Sequence, residues 1–301
     1  AVAVRWRSTL SAIEIMTPSM LARMREACQL AADTLVMVGR HLKPGMTTDD
    51  INTLVHDYTI KQGAWPSPLN YNGFPKSVCT SVNEVVCHGI PGNRVLHDGD
   101  IINVDVTSYL PAKNGFHGDT SATFYVGTPS EGAKKVTEVA RHCLELGIAE
   151  VKEAARIGDI GAAIYTYAKG QGCEVVRDYV GHGIGREFHT APQVPHYGTR
   201  GTGKRLKAGM VFTIEPMINL GDYKCELMDD EWTVLTEDRS LSAQFEHTIV
   251  VTKTGCEVLT ARRELLTHSE NVPWSKLGPL SCPAAFQRAA DGRVERAVQP
   301  Q

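Results

Sequence analysis

Four acidic residues of this 301-residue chain stand where acids are ordinarily disfavoured. Asp105 lies in IINVDVT, Asp119 in HGDTSATF, Glu215 in VFTIEP and Glu246 in QFEHTIV. Each segment reads as a strand, and side chains alternate along a strand. Asn103, Asp105 and Thr107 therefore oppose Ile102, Val104 and Val106. His117, Asp119, Ser121 and Thr123 oppose Ala122 and Phe124. Glu215 opposes Phe212 and Ile214, and Gln244, Glu246 and Thr248 oppose Phe245 and Ile249. One such segment is an ordinary half-exposed strand with a solvated acid. Four mid-strand acids are expected only where something uses them. If the four converge, repulsion raises their pKa values unless cations are present.

His182, in GHGIG at 181–185, is a fifth candidate. By itself it reads as a turn histidine, with glycines that allow φ > 0 and close approach of a ligand. Four carboxylates with one imidazole and no thiolate suit Mn²⁺, Fe²⁺, Co²⁺ or Zn²⁺ in a two-metal site, not a Cys-rich structural zinc.

The elements that must position these residues follow from periodicity. A first helix starts at Thr17-Pro18 and ends before Pro44-Gly45. A second runs from Thr48 to Gln62, and others cover about 130–153 and 159–171. Residues 77–88 read as a hairpin turning at Asn83-Glu84, and 101–108, 116–126, 210–218, 232–236 and 244–252 read as strands. Helices, strands, helices, strands in that order predict an α+β fold of two similar halves.

Residues 1–15 read as an N-terminal extension and 16–268 as the main folded domain. The Pro-containing segment 269–301 reads as an appendage, disordered or lying along the surface. The formal charge of −3 argues against nucleic acid or an acidic membrane as the main partner. Eight cysteines without a CxxC predict free thiols in a reducing cytoplasm, and the absence of a long apolar run predicts no membrane span.

The segments VCHGIP (86–91), INVDVT (102–107), FHGDTSATF (116–124), GHGIGREFHTAP (181–192), FTIEPM (212–217) and SLSAQFEHTIV (240–250) resemble those of type I methionine aminopeptidases. The likeness covers roughly residues 16–268, and it is the ordered set that is specific. It implies a pita-bread fold, with two pseudo-symmetric αβ halves around a central curved antiparallel sheet. It implies removal of the initiator methionine from nascent polypeptides with a small second residue.

Carried over residue by residue, the resemblance makes Asp105, Asp119, His182, Glu215 and Glu246 ligands of two divalent ions (Co, Mn, Fe, Zn or Ni). Asp119 and Glu246 would bridge both ions. His88, His189 and Glu215 would be catalytic, Glu215 as general base. The two histidines would also contact substrate, and Tyr71, Phe74, Cys79, Phe188 and Trp232 would line the methionine pocket. His117 and His247 are expected to be structural. The partners implied are nascent chain N-termini, with a ribosome contact left open, and the expected state is a monomer.

Two departures stand out. The loop between Asp105 and Asp119, which lie 14 positions apart, is longer than in typical bacterial members, and Pro68 replaces a common pocket cysteine. A proline-directed peptidase of the same fold is disfavoured by Met217 after Glu215-Pro216. A non-enzymatic relative would have lost ligands. A carboxylate-pair glycosidase would leave His88, His182 and His189 idle. Type II enzymes insert a helical subdomain between the positions of His189 and Glu215, where only 25 residues stand here.

Overall fold

The computed structural model describes residues 13–262, together with the backbone of a short strand pair at Gln287–Arg288 and Val294–Glu295. The expectations for the first twelve residues, and for the appendage apart from that pair, lie outside the described residues. Four helices carry the scaffold: α1 (Pro18–His41), α2 (Thr48–Lys61), α3 (Glu131–Ala149) and α4 (Ile157–Gly170). Their starts are written in the sequence. Thr17 caps α1 by accepting from Met20 N, with Pro18 in the first turn. Thr47 and Asp50 cap α2 reciprocally, and Ser130 caps α3. Each cap satisfies amides that the helix cannot, for about 1 kcal/mol.

In the first half, α1 and α2 pack beside a long hairpin, Ile101–Leu110 with Phe116–Tyr125. Strand Cys79–Val82 pairs with the same 101–110 strand and connects tightly to Val85–Cys87. Gly118 lets α1 lie against the hairpin, because a Cβ there would fall 2.4 Å from Cys28 N. In the second half, α3 packs on strands Val211–Ile214, Met217–Asn219 and Ser242–Gln244, and α4 packs on α3 and on strands Glu174–Val175 and Thr190–Val194. All strand pairs are antiparallel. A buried cluster extending from Leu35 and Val104 to Ile160, Phe212 and Ile249 joins the halves.

Two differences from the expected strands bear on function. The strand predicted at 210–218 breaks after Ile214 and resumes at Met217; that at 244–252 breaks after Gln244 and resumes at His247. Glu215 and Glu246 are therefore not mid-strand but sit in the breaks, where the chain passes from one sheet to another. Nor is the polar face of the hairpin half-exposed: Asn103, Thr107, Asp119 and Ser121 are all buried. Periodicity records which side chains share a face, and what covers that face comes from elements far away in sequence.

Candidate metal centre and active site

The hairpin brings the first two acids together. Its register pairs Asp105 with Ser121 and Thr107 with Asp119, so Asp105 and Asp119 are diagonal neighbours on one face. The connection between the two strands is the five-residue tip 111–115, and the pairing is unbroken from Leu110 with Phe116 to Ile101 with Tyr125. The Asp105 and Asp119 carboxyls touch, and Thr107 Oγ1 donates to Asp119 Oδ1 at 2.7 Å.

His182 comes from the second half, on the short strand Gly181–Gly183, not in a turn. Its glycines do not adopt positive φ. They are required for close packing: a Cβ on Gly181 would meet Thr213 O at 2.5 Å, and one on Gly183 would meet Ala191 O at 2.0 Å. His182 Nδ1 lies 3.1 Å from Gly183 O, a contact that suits an N–H donor and leaves Nε2 as the lone-pair nitrogen. Nε2 faces Asp119 Oδ2 at 3.6 Å and Glu215 Oε1 at 3.5 Å. Asp119, His182 and Glu246 offer ligand atoms all within 4.8 Å of one another.

Glu215 is held by Thr213 Oγ1 at 2.7 Å and Gln244 Nε2 at 3.2 Å, while its backbone N–H donates to His196 Nε2 at 3.1 Å. Those three partners are absent from the predicted site residues. Parity could have flagged Thr213 and Gln244, each two residues before an acid. Nothing in the sequence marks His196.

Burial raises all four acids. Asp105 rises to about 7 and Glu215 to about 8, and Asp119 and Glu246 go well above the carboxylate range, with neighbouring carboxylates adding to burial. Burial lowers His182 to about 4, so its imidazole is neutral. Among the described residues Asp105 Oδ1 and Glu246 Oε1 are buried with no hydrogen-bond partner. Orphaned carboxylate oxygens and a neutral imidazole lone pair facing carboxylates are a poor design for a folded core. They are what divalent cations require, so the residues fit such ions.

This has a measurable consequence. An acid whose pKa is raised on folding binds more protons folded than unfolded, so stability falls as pH rises from the ordinary carboxylate value towards 7–8. Thermal melts of chelator-treated protein should show a lower Tm at pH 8 than at pH 5.5. Added Mn²⁺ should raise Tm more at pH 8, where the ligands are ionised. A Tm independent of pH and of Mn²⁺ would contradict the fit.

Aromatic rings gather beside the acids. On one side Tyr71 meets Phe188 at 4.9 Å, Phe188 stacks on His189 at 4.1 Å and His189 lies 4.2 Å from His182. On the other, Phe74 meets Trp232 at 5.1 Å and Trp232 meets His88 at 6.2 Å. Cys79 pairs in register with Asp105, which puts its buried thiol on the same face as the acids. Tyr179, unmarked by the sequence reading, packs edge-on to His88 at 5.5 Å. His117 stacks on Phe188 at 5.3 Å and contacts Ser67, in keeping with a structural role. His88 holds φ 56°, in the left-handed region that non-glycine residues seldom adopt, with its ring edge-on to Tyr179 and Trp232.

Residues 22–253 match the model of metallopeptidase family M24, and the chain belongs to that family. Within it the chain groups with the methionine aminopeptidases. It is 57% identical over 249 residues to methionine aminopeptidase A of Synechocystis, covering 82% of this chain and 97% of that one. To the methionine aminopeptidase of Salmonella typhimurium it is 51% identical over 266 residues, covering 86% and 100%. The crystal structure of methionine aminopeptidase from Rickettsia prowazekii superposes with a TM-score of 0.81 at 50% identity, covering 83% of this chain and all of that one. The pita-bread fold expected from the motifs is thus the fold found.

Proposed function

We propose that this chain is a dinuclear-metal methionyl aminopeptidase that releases the initiator methionine from nascent polypeptides with a small second residue. The observation that carries the reading is the convergence of Asp119, His182 and Glu246 within 4.8 Å, with orphaned Asp105 and Glu246 oxygens, beside the packed rings of Tyr71, Phe188 and His189. Asp105, Asp119, His182, Glu215 and Glu246 would hold two ions of the Co, Mn, Fe, Zn or Ni group. Such ions lower the pKa of water and polarise the scissile carbonyl.

The remaining steps belong to side chains. Glu215, fixed through both carboxyl oxygens by Thr213 and Gln244, would take a proton from the attacking water in its ionised, metal-loaded form. His189 is held neutral by burial, and its Nδ1 lies 2.8 Å from the Tyr71 hydroxyl. With the Tyr71 hydroxyl as donor to Nδ1, the His189 proton would reside on Nε2. That nitrogen is then the donor to the scissile carbonyl oxygen as it gains charge. His88, lowered to about 4 by burial, would contact the amide nitrogen of the second residue and assist its departure. Tyr71, Phe74, Cys79, Phe188 and Trp232 form a pocket suited to an unbranched thioether.

The seven described cysteines are unpaired, and no helix among the described residues is long and apolar enough to cross a membrane. Action on new chains in the cytoplasm as a monomer, and a ribosome contact, are further elements of the proposal.

Metal analysis paired with cleavage assays tests the whole reading. Met-Ala starts should be cut well and Met-Leu starts poorly, because a bulky second side chain crowds the site. Norleucine in place of the terminal Met should be tolerated with some loss. A terminal Leu should be much slower, since a misfit group in an apolar pocket costs about 1–3 kcal/mol. Acetyl-Met peptides should not be cut, because the acidic centre needs a free amine. Equal rates for Met and Leu, or cleavage of the blocked peptide, would indicate a general peptidase.

A further inference from the structure

Arg262 lies beyond the matched stretch, which ends at 253, yet its guanidinium is wedged between the segments that carry Asp119 and Glu246. Nη2 lies 2.7 Å from Thr120 Oγ1, 2.7 Å from Ser121 O and 3.1 Å from Glu246 O. Nη1 lies 3.5 Å from His247 Nε2. The His247 Nδ1–Thr260 Oγ1 contact of 2.9 Å holds that ring from its other side.

The position matters because Glu246 falls in a strand break. Its peptide lies outside the ladders of the flanking strands, whose pairs stop at Gln244 and restart at His247. The peptide is tied instead to the hairpin. Its N–H donates to Ser121 O at 3.0 Å, and its C=O accepts from Thr120 Oγ1 at 2.8 Å and from Arg262. One guanidinium nitrogen thus serves three acceptors of the junction while the other reaches His247, two positions that a single lysine ammonium cannot hold together.

We propose that Arg262 is a positioning residue for the metal centre, clasping the Glu246 peptide to the Thr120–Ser121 backbone and so fixing the separation of the Asp119 and Glu246 carboxylates. The proposal rests on the assignment of those carboxylates as metal ligands. The clasp opposes the tendency of the buried acids to push apart, and it places a fixed positive charge behind them. Without it the Glu246 segment relaxes away from the hairpin, and ions must bring it back at a cost in affinity.

Calorimetric titration of the chelator-treated full chain with Mn²⁺ tests this. Arg262→Met should bind Mn²⁺ roughly 10–100-fold more weakly than the parent, the usual penalty for losing an outer partner of a ligand. Arg262→Lys should recover part of that loss. Unchanged affinity in folded Arg262→Met, even with a lowered Tm, would overturn the proposal, since packing alone would move stability and not metal affinity. If Arg262→Met fails to fold, Thr120→Val decides, because it removes two contacts of the junction from the other side. Weaker Mn²⁺ binding supports the clasp, and parental affinity overturns it. The ligand assignment is judged separately: the parent should bind Mn²⁺ and Asp119→Ala should not. Equal binding by those two would remove the assignment, and the clasp with it.

Discussion

Replacing Asp119 or Glu246 with alanine is expected to reduce cleavage of a Met-Ala peptide to background and to strip the protein of its cations. Each carboxylate faces the others across the junction of the two halves, and each is proposed as a metal ligand, so losing one would weaken the hold on the cations. The same substitution removes one member of a repelling buried set whose pKa values burial has already raised. The metal-free variants should therefore unfold at a temperature no lower than the metal-free parent, at pH 8 above all. This pairing separates a lost ligand from a damaged fold. Metal content by elemental analysis, peptide turnover and the two melting curves are the readouts. Two retained ions with near-parental turnover would remove these residues from the centre.

His189→Ala has the next largest expected effect, a loss of roughly 10²–10³-fold in turnover, as for removal of one donor to a developing oxyanion. Metal content should be unchanged, because His189 is assigned to substrate and not to the ions. The fold should survive, since the residue lies in the connection between strands Gly181–Gly183 and Thr190–Val194. Tyr71→Phe offers an independent check. It keeps the ring against Phe188 but deletes the hydroxyl 2.8 Å from His189 Nδ1 and the hydrogen bond made there. Turnover should fall by less than in His189→Ala, with KM for Met peptides little changed. If His189→Ala instead loses metal, the residue is a ligand and the division of roles is wrong.

What the sequence could determine by itself was local and periodic. Thr17-Pro18, Thr47 with Asp50, and Ser130 mark helix starts because a cap needs only residues three or four positions away. Alternation marked the shared face of Asp105, Thr107, Asp119 and Ser121 because strand parity is a property of the chain. The ordered motifs carried the family resemblance.

Tertiary structure decided the rest. Glu215 and Glu246 sit in strand breaks because the chain changes sheets there, and the pairing partners that force the change lie far off in sequence. The glycines beside His182 are dictated by the carbonyls of Thr213 and Ala191, which no local pattern reveals. His196 beneath Glu215, Tyr179 against His88 and Arg262 at the Glu246 peptide join residues 19, 91 and 16 positions apart. The raised carboxylate pKa values belong to the same class: an acid's chemistry follows from the water it loses and the charges it meets, and both are set only when the two halves close over it.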